Sequence, residues 1–153
     1  MLTTDTTAKI TNDDIPALAN IGHSKLEHRH KARYQVAGGA DVAAVNQIIH
    51  RAYKAGTVLA AYATPDAVPA GGTLSITIDI HKSTGGGAWA TILSSTTTIS
   101  SAGTARTPIA MSLSGTPALI AGDLLKVIIT VAGAAGTNVQ GLLVDVDIAE
   151  NCA

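Results

Sequence analysis

The sequence predicts an all-β protein, a jelly-roll-like β-sandwich of about 7–8 strands preceded by an extended N-terminal arm. From about residue 47 onward apolar residues recur with a period close to two, the repeat of a strand buried on one face. Clusters of Gly, Pro and Ser interrupt these runs at short intervals, where chain reversals need them. Residues 1–34 share neither feature. They hold nine of the twenty-one charged side chains and three of the five histidines. The expected organisation is therefore an arm over 1–34 and a β-sandwich domain over 35–153.

In the arm, Ile10, Ile15, Leu18, Ile21 and Leu26 are spaced by five, three, three and five residues, which suits neither one helix nor one strand. Asn12 or Asp13 can cap a short helix with Pro16 in its first turn. A helix of two or three turns is too short to hold alone in water. The arm is thus expected to order against another surface, with "VAGGADV" as the hinge into the body.

Strands follow in order. "QIIHRAY" and "TVLAAYAT" are weak candidates. "TLSITIDIHK" is a strong one, with Leu74, Ile76, Ile78 and Ile80 on one face and Ser75, Thr77, Asp79 and His81 on the other. "AWATILS" and "ARTPIAMSL" are weaker, and Pro108 sends the second to an edge or a bulge. "LLKVIITVA" is apolar on both faces, as a central strand is. "GLLVDVDI" alternates again, with Leu142, Val144, Val146 and Ile148 inward and Asp145 and Asp147 outward. The turns fall at "TPDAVPAGG", "KSTGGGA", "SSAGT", "SGTPALIAGD" and "AGAAGTN". In the fourth, Gly122 permits the turn and Asp123 can hold it.

With 153 residues the chain is long enough for one real core. Aromatics make up only 3% and Phe is absent, so that core must be Val, Ile, Leu and Ala. A net charge of −1 supplies no global field for nucleic acid or an anionic membrane. No apolar run approaches the ~20 residues of a membrane-spanning helix, and Met1-Leu2-Thr3-Thr4 opens no signal peptide. A soluble protein made in a cytoplasm is expected. The single cysteine, Cys152, cannot form an internal disulfide.

The segment "ITNDDIPALANIGHSKLEHRH" resembles a leader of virion structural proteins of tailed bacteriophages, of the form D-I-x-x-x-A-x-I-x-x-S-K-L. Asp14, Ile15, Ala19, Ile21, Ser24, Lys25 and Leu26 occupy those positions. The stretch "AGDLLKVIITVAGAAGTNVQGLLVDVDI" is similar to the closing strands of small β domains in such proteins. Together they cover about a third of the chain. The resemblance implies an assembly role and is shared by head decoration (cement) proteins, minor head proteins and tail-fibre segments.

The favoured expectation is a capsid decoration protein on the virion surface, a homotrimer without catalysis or cofactor, bound to the major capsid protein. Ile15, Leu18, Ile21, Lys25, Leu26, His28, Arg29, His30 and Arg33 are its expected partner-binding residues. The apolar ones would fill grooves, and the basic strip would pair with carboxylates on the neighbour. The alternative is a tail-fibre or adhesin domain, for which Tyr34, Tyr53, Tyr62 and Trp89 are the residues able to stack on sugars.

Other chemistry is weaker. Asp79 and His81 point the same way about 7 Å apart, and His50 from another strand would complete a metal site. Solvated polar residues on a sheet face are the preferred reading. In a trimer, His28-x-His30 pairs could gather imidazoles around a transition metal, but a charged docking segment is preferred and no metal is expected. Asp145 and Asp147 are read as solubilising an outward face. A glycan hydrolase would need an acid–base pair that these residues do not supply. No Gly-x-Ser-x-Gly elbow is present, and "STGGGA" lacks the Gly-Lys-Ser/Thr of a phosphate loop, so it is a hairpin turn. Lys25, Arg29, Lys31 and Arg33 against Glu27 lack the interleaved aromatics of a nucleic-acid surface.

Overall fold

The structure is a computed structural model that describes residues 27–151. The leader positions Asn12, Asp13, Ile15, Pro16, Leu18, Ile21, Lys25 and Leu26, and Cys152, lie outside the described residues. Ten strands follow in order: β1 (Glu27–Asp41), β2 (Val45–Arg51), β3 (Gly56–Ala67), β4 (Ser75–Ser83), β5 (Trp89–Thr91), β6 (Thr97–Ile99), β7 (Ile109–Ala110), β8 (Ala118–Leu119), β9 (Leu124–Ala132) and β10 (Gln140–Asn151). No helix forms among the described residues, and none is therefore long and apolar enough to cross a membrane.

The strands make two antiparallel five-stranded sheets in a sandwich-like arrangement. One runs β1-β10-β3-β7, with β8 also on β3; the other runs β2-β9-β4-β5, with β6 also on β4. Period-two alternation decides which side chains enter the space between the sheets. Ile76, Ile78 and Ile80 of β4, Leu125, Val127 and Ile129 of β9, and Leu142, Val144, Val146 and Ile148 of β10 are all at most 2% exposed. They form one aliphatic cluster with Val58, Ala61 and Ala63 of β3. Aliphatic rows of this kind supply the burial that an aromatic-poor chain needs.

The turn expectations hold at particular atoms. Asp123 is buried, and its Oδ2 accepts the Ile120 N–H at 3.0 Å, closing the turn before β9. "STGGGA" is the β4–β5 hairpin, with Ser83 paired to Trp89 and positive φ at Gly85 and Gly86. Two short strands were not foreseen: β6, and β8 within a segment read as a turn.

The larger correction is at the start. Residues 27–34 are not part of an arm; they pair residue by residue with β10, from Glu27 opposite Asn151 to Tyr34 opposite Val144. The expected hinge "VAGGADV" is the irregular end of the same strand, where the register shifts between Val36 and Asp41. The reason lies in the alternation. His30, Ala32, Tyr34 and Val36 turn inward, while Arg29, Lys31, Arg33 and Gln35 are exposed. An inward row of His, Ala and Tyr does not look like a strand's apolar face, yet it packs as one.

Candidate functional site

Three strands converge at the end of the sandwich where the chain enters β1. His28 lies opposite Glu150 in the β1–β10 register and His30 opposite Ile148. His30 continues the inward row of Ala32 and Tyr34, and His28 beyond it is exposed. From the other sheet, β2 contributes His50. A bulge between Ile48 and His50 shifts the register against β9, so the two residues do not share a face. Ile48 is 53% exposed, whereas the His50 side chain is 10% exposed.

Glu150 is held from two sides. Its Oε1 lies 3.2 Å from His50 Nε2 and accepts the Tyr53 N–H at 3.3 Å. Its side chain is only 9% exposed. Gly56, opposite Glu150 on β3, leaves it room: a Cβ there would lie 3.0 Å from Glu150 Cγ and 2.3 Å from the Ala149 carbonyl oxygen. The His30 ring lies 5.0 Å from that of His50 and 5.5 Å from that of His28, centroid to centroid. His30 Nδ1 is buried without a hydrogen-bond partner. One donor atom from each of His30, His50 and Glu150 lies within 4.8 Å of the other two. Two imidazoles and a carboxylate at such separations can accept a proton between them or hold a divalent transition ion.

His30 has its pKa lowered from the ordinary 6.5, chiefly by burial, then by the neighbouring His50, with a further contribution from His28; Glu150 opposes this in part. The folded protein thus prefers this imidazole neutral, and the unfolded chain binds the proton more readily. The stability it contributes is complete above pH 6.5 and is lost as pH falls through the depressed folded value. In a chelating buffer, the urea midpoint is expected to fall on acidification from neutrality to pH ~5, and to fall less steeply in His30→Ala. Equal slopes in the two proteins would show that another group carries the dependence.

The other residues singled out from the sequence sort as follows. Asp79 and His81 do share a face, with Oδ2 and Nε2 2.9 Å apart, but His50 is not their neighbour because β9 lies between β2 and β4. Asp79 Oδ1 also accepts the Ile80 N–H and the Thr91 hydroxyl. Asp145 and Asp147 face outward as expected, but they meet the basic strip of their own chain. Arg33 Nε donates to Asp145 Oδ1 at 2.8 Å, with Nη2 at 3.4 Å from Oδ2, and Lys31 Nζ lies 3.3 Å from Asp147 Oδ1. Arg33 and Lys31 stand directly across from these carboxylates in the β1–β10 register. Their charges are thus matched within the sheet. Arg29 lines an open groove of ≈ 260 Å³ beside β1, together with His30, Lys31, Leu59, Asp147 and Ile148.

Glu150 carries no signal in the sequence reading. It follows the last aliphatic residues of β10, and only its in-phase spacing from Val146 and Ile148 hints that it points inward. No protein-family model, curated protein or solved structure matches this chain.

Proposed function

We propose that the chain is a virion structural protein, a capsid decoration protein whose leader anchors a rigid β body to the major capsid protein. The body is read as a jelly roll. Its support is the strand order: with β5 and β6 sharing one position and β7 and β8 another, successive positions alternate between the sheets except at the β4–β5 hairpin, and the two sheets read β1-β10-β3-β7/β8 and β2-β9-β4-β5/β6. Eight positions wound in this way form two interlocked Greek keys, an architecture found in viral capsid and lectin domains. A shared fold does not transfer function, so the assignment rests on the leader.

The observation that carries it is the junction at residue 27. The leader residues Asp14 to Leu26 run without a Gly- or Pro-rich linker into a strand that pairs with β10 residue by residue from Glu27 to Val36. Whatever the leader grips is therefore coupled directly to a sheet. Ile15, Leu18, Ile21 and Leu26 share no periodic face of their own, so partner surface is the natural place to bury them. Ordering them costs conformational entropy that such burial offsets. Lys25 completes the anchor, whereas Lys31 and Arg33 are engaged with Asp147 and Asp145. A homotrimer multiplies each leader contact through avidity.

The test uses the full chain carrying Leu18→Asp and Leu26→Asp. Each buried Leu contributes roughly 1.5–3 kcal/mol, and an unpaired buried carboxylate adds a further penalty. Loss of co-sedimentation with undecorated capsids is expected, with folding and melting unchanged. Wild-type occupancy by this variant would remove the leader as anchor. Attachment of the wild type to tails instead of capsids would favour the tail-fibre reading.

A further inference from the structure

We propose that His30, His50 and Glu150 form a binding site for one zinc-class divalent ion, which staples β1, β2 and β10 together where the chain enters the sandwich. The donor set is right for such an ion. Zinc takes imidazole nitrogen and carboxylate oxygen at about 2.0–2.2 Å, and tetrahedral ligands then stand roughly 3.3–3.5 Å apart. His50 Nε2 and Glu150 Oε1 are already 3.2 Å apart, and the donor atom of His30 lies within 4.8 Å of both.

Two further observations point to a ligand. His30 Nδ1 is buried yet bonded to nothing, which is unusual for a polar atom in a folded protein. Secondly, all three groups sit on short tethers to paired backbone: β1 and β10 pair with each other, and β2 pairs with β9 in the facing sheet. The ion would thus join the two sheets beside the core, where His30 stands opposite Ile148 and His50 opposite Leu125. Three protein ligands leave a fourth position for water.

By contrast, the cluster of Asp79, His81 and Thr91 satisfies its carboxylate internally and contributes one imidazole only. The staple is independent of the capsid reading, since it holds the root of β1 whatever the leader binds.

The experiment is titration of the full chain, stripped with EDTA, with Zn²⁺ and with Co²⁺. Binding of one ion per chain is expected, with a rise in melting temperature that EDTA reverses and visible Co²⁺ absorption of low-symmetry tetrahedral type. His30→Ala is expected to fold, because its Nδ1 has no partner to orphan. Glu150→Gln is expected to fold too, because its amide oxygen still accepts the Tyr53 N–H. Each should weaken binding by at least about tenfold, since changes even outside the ligand set cost that much. His28→Ala should bind as the wild type does. Absence of one-to-one binding, or an unchanged melting shift in both His30→Ala and Glu150→Gln, would overturn the site. Loss of binding in His28→Ala alone would overturn the three-residue ligand set.

Discussion

Ile78→Ala is expected to lower the free energy of unfolding by about 2–5 kcal/mol, the range for removing a large aliphatic side chain from a packed interior. Ile78 is 0% exposed at the centre of β4, opposite Ile129 of β9 on one side and Thr97 of β6 on the other. Its side chain fills the space between the sheets, within the aliphatic cluster. Relaxation would require β4 to move against two paired neighbours. Urea denaturation followed by fluorescence of Trp89, the single tryptophan, measures the change. Thr77→Ala, on the opposite face of the same strand, is the control and should cost much less. A loss below about 1 kcal/mol in Ile78→Ala would show that the two sheets do not pack on this row.

Gly133→Ala is expected to be at least as damaging, through the backbone instead of the core. Gly133 has φ +94, a conformation that side chains rarely adopt. An added Cβ would also lie 2.1 Å from the Thr73 carbonyl oxygen and 2.6 Å from its carbon. The backbone there cannot move aside freely. Thr73 N–H and Oγ1–H donate to the Ala134 carbonyl at 3.2 and 3.0 Å, and Ala134 N–H donates to Thr73 Oγ1 at 3.1 Å. These bonds tie the exit of β9 to the entry of β4, the two central strands of their sheet. A loss of roughly 3–5 kcal/mol is expected, in the range reached by strain and broken networks. Gly85→Ala is the comparison. It also has positive φ, but nothing lies within 4 Å of its added Cβ, so it isolates the conformational cost from the collision. Equal losses in the two variants would show that the close approach to Thr73 contributes nothing.

The contrast between β4 and β1 shows how much of the fold was readable. β4 presents Ile at every second position, and a β-branched row packed between two sheets is the strongest form of the period-two signal. β1 has the same period, but its inward row begins with a histidine and an alanine while its outward row is Arg29, Lys31 and Arg33. Read along the chain, that composition is a charge run. Read across the sheet, the cations face Asp145 and Asp147 of β10, and the strand is neutralised by its partner. The short strands β6 and β8 escaped for another reason. Segments of three and two residues hold too few alternations to set a period, and pairing with β4 and β3 defines them.

By itself the sequence determined the class of fold, the aliphatic faces of β4, β9 and β10 and the places of the main turns, because these depend on local spacing alone. The edge strand at the start was decided by tertiary structure, since the groups that complement its charges lie more than a hundred residues away. The cluster of His30, His50 and Glu150 was decided in the same way. Its members come from positions with no common spacing, and only closure of one sheet over the other brings their donor atoms within 4.8 Å.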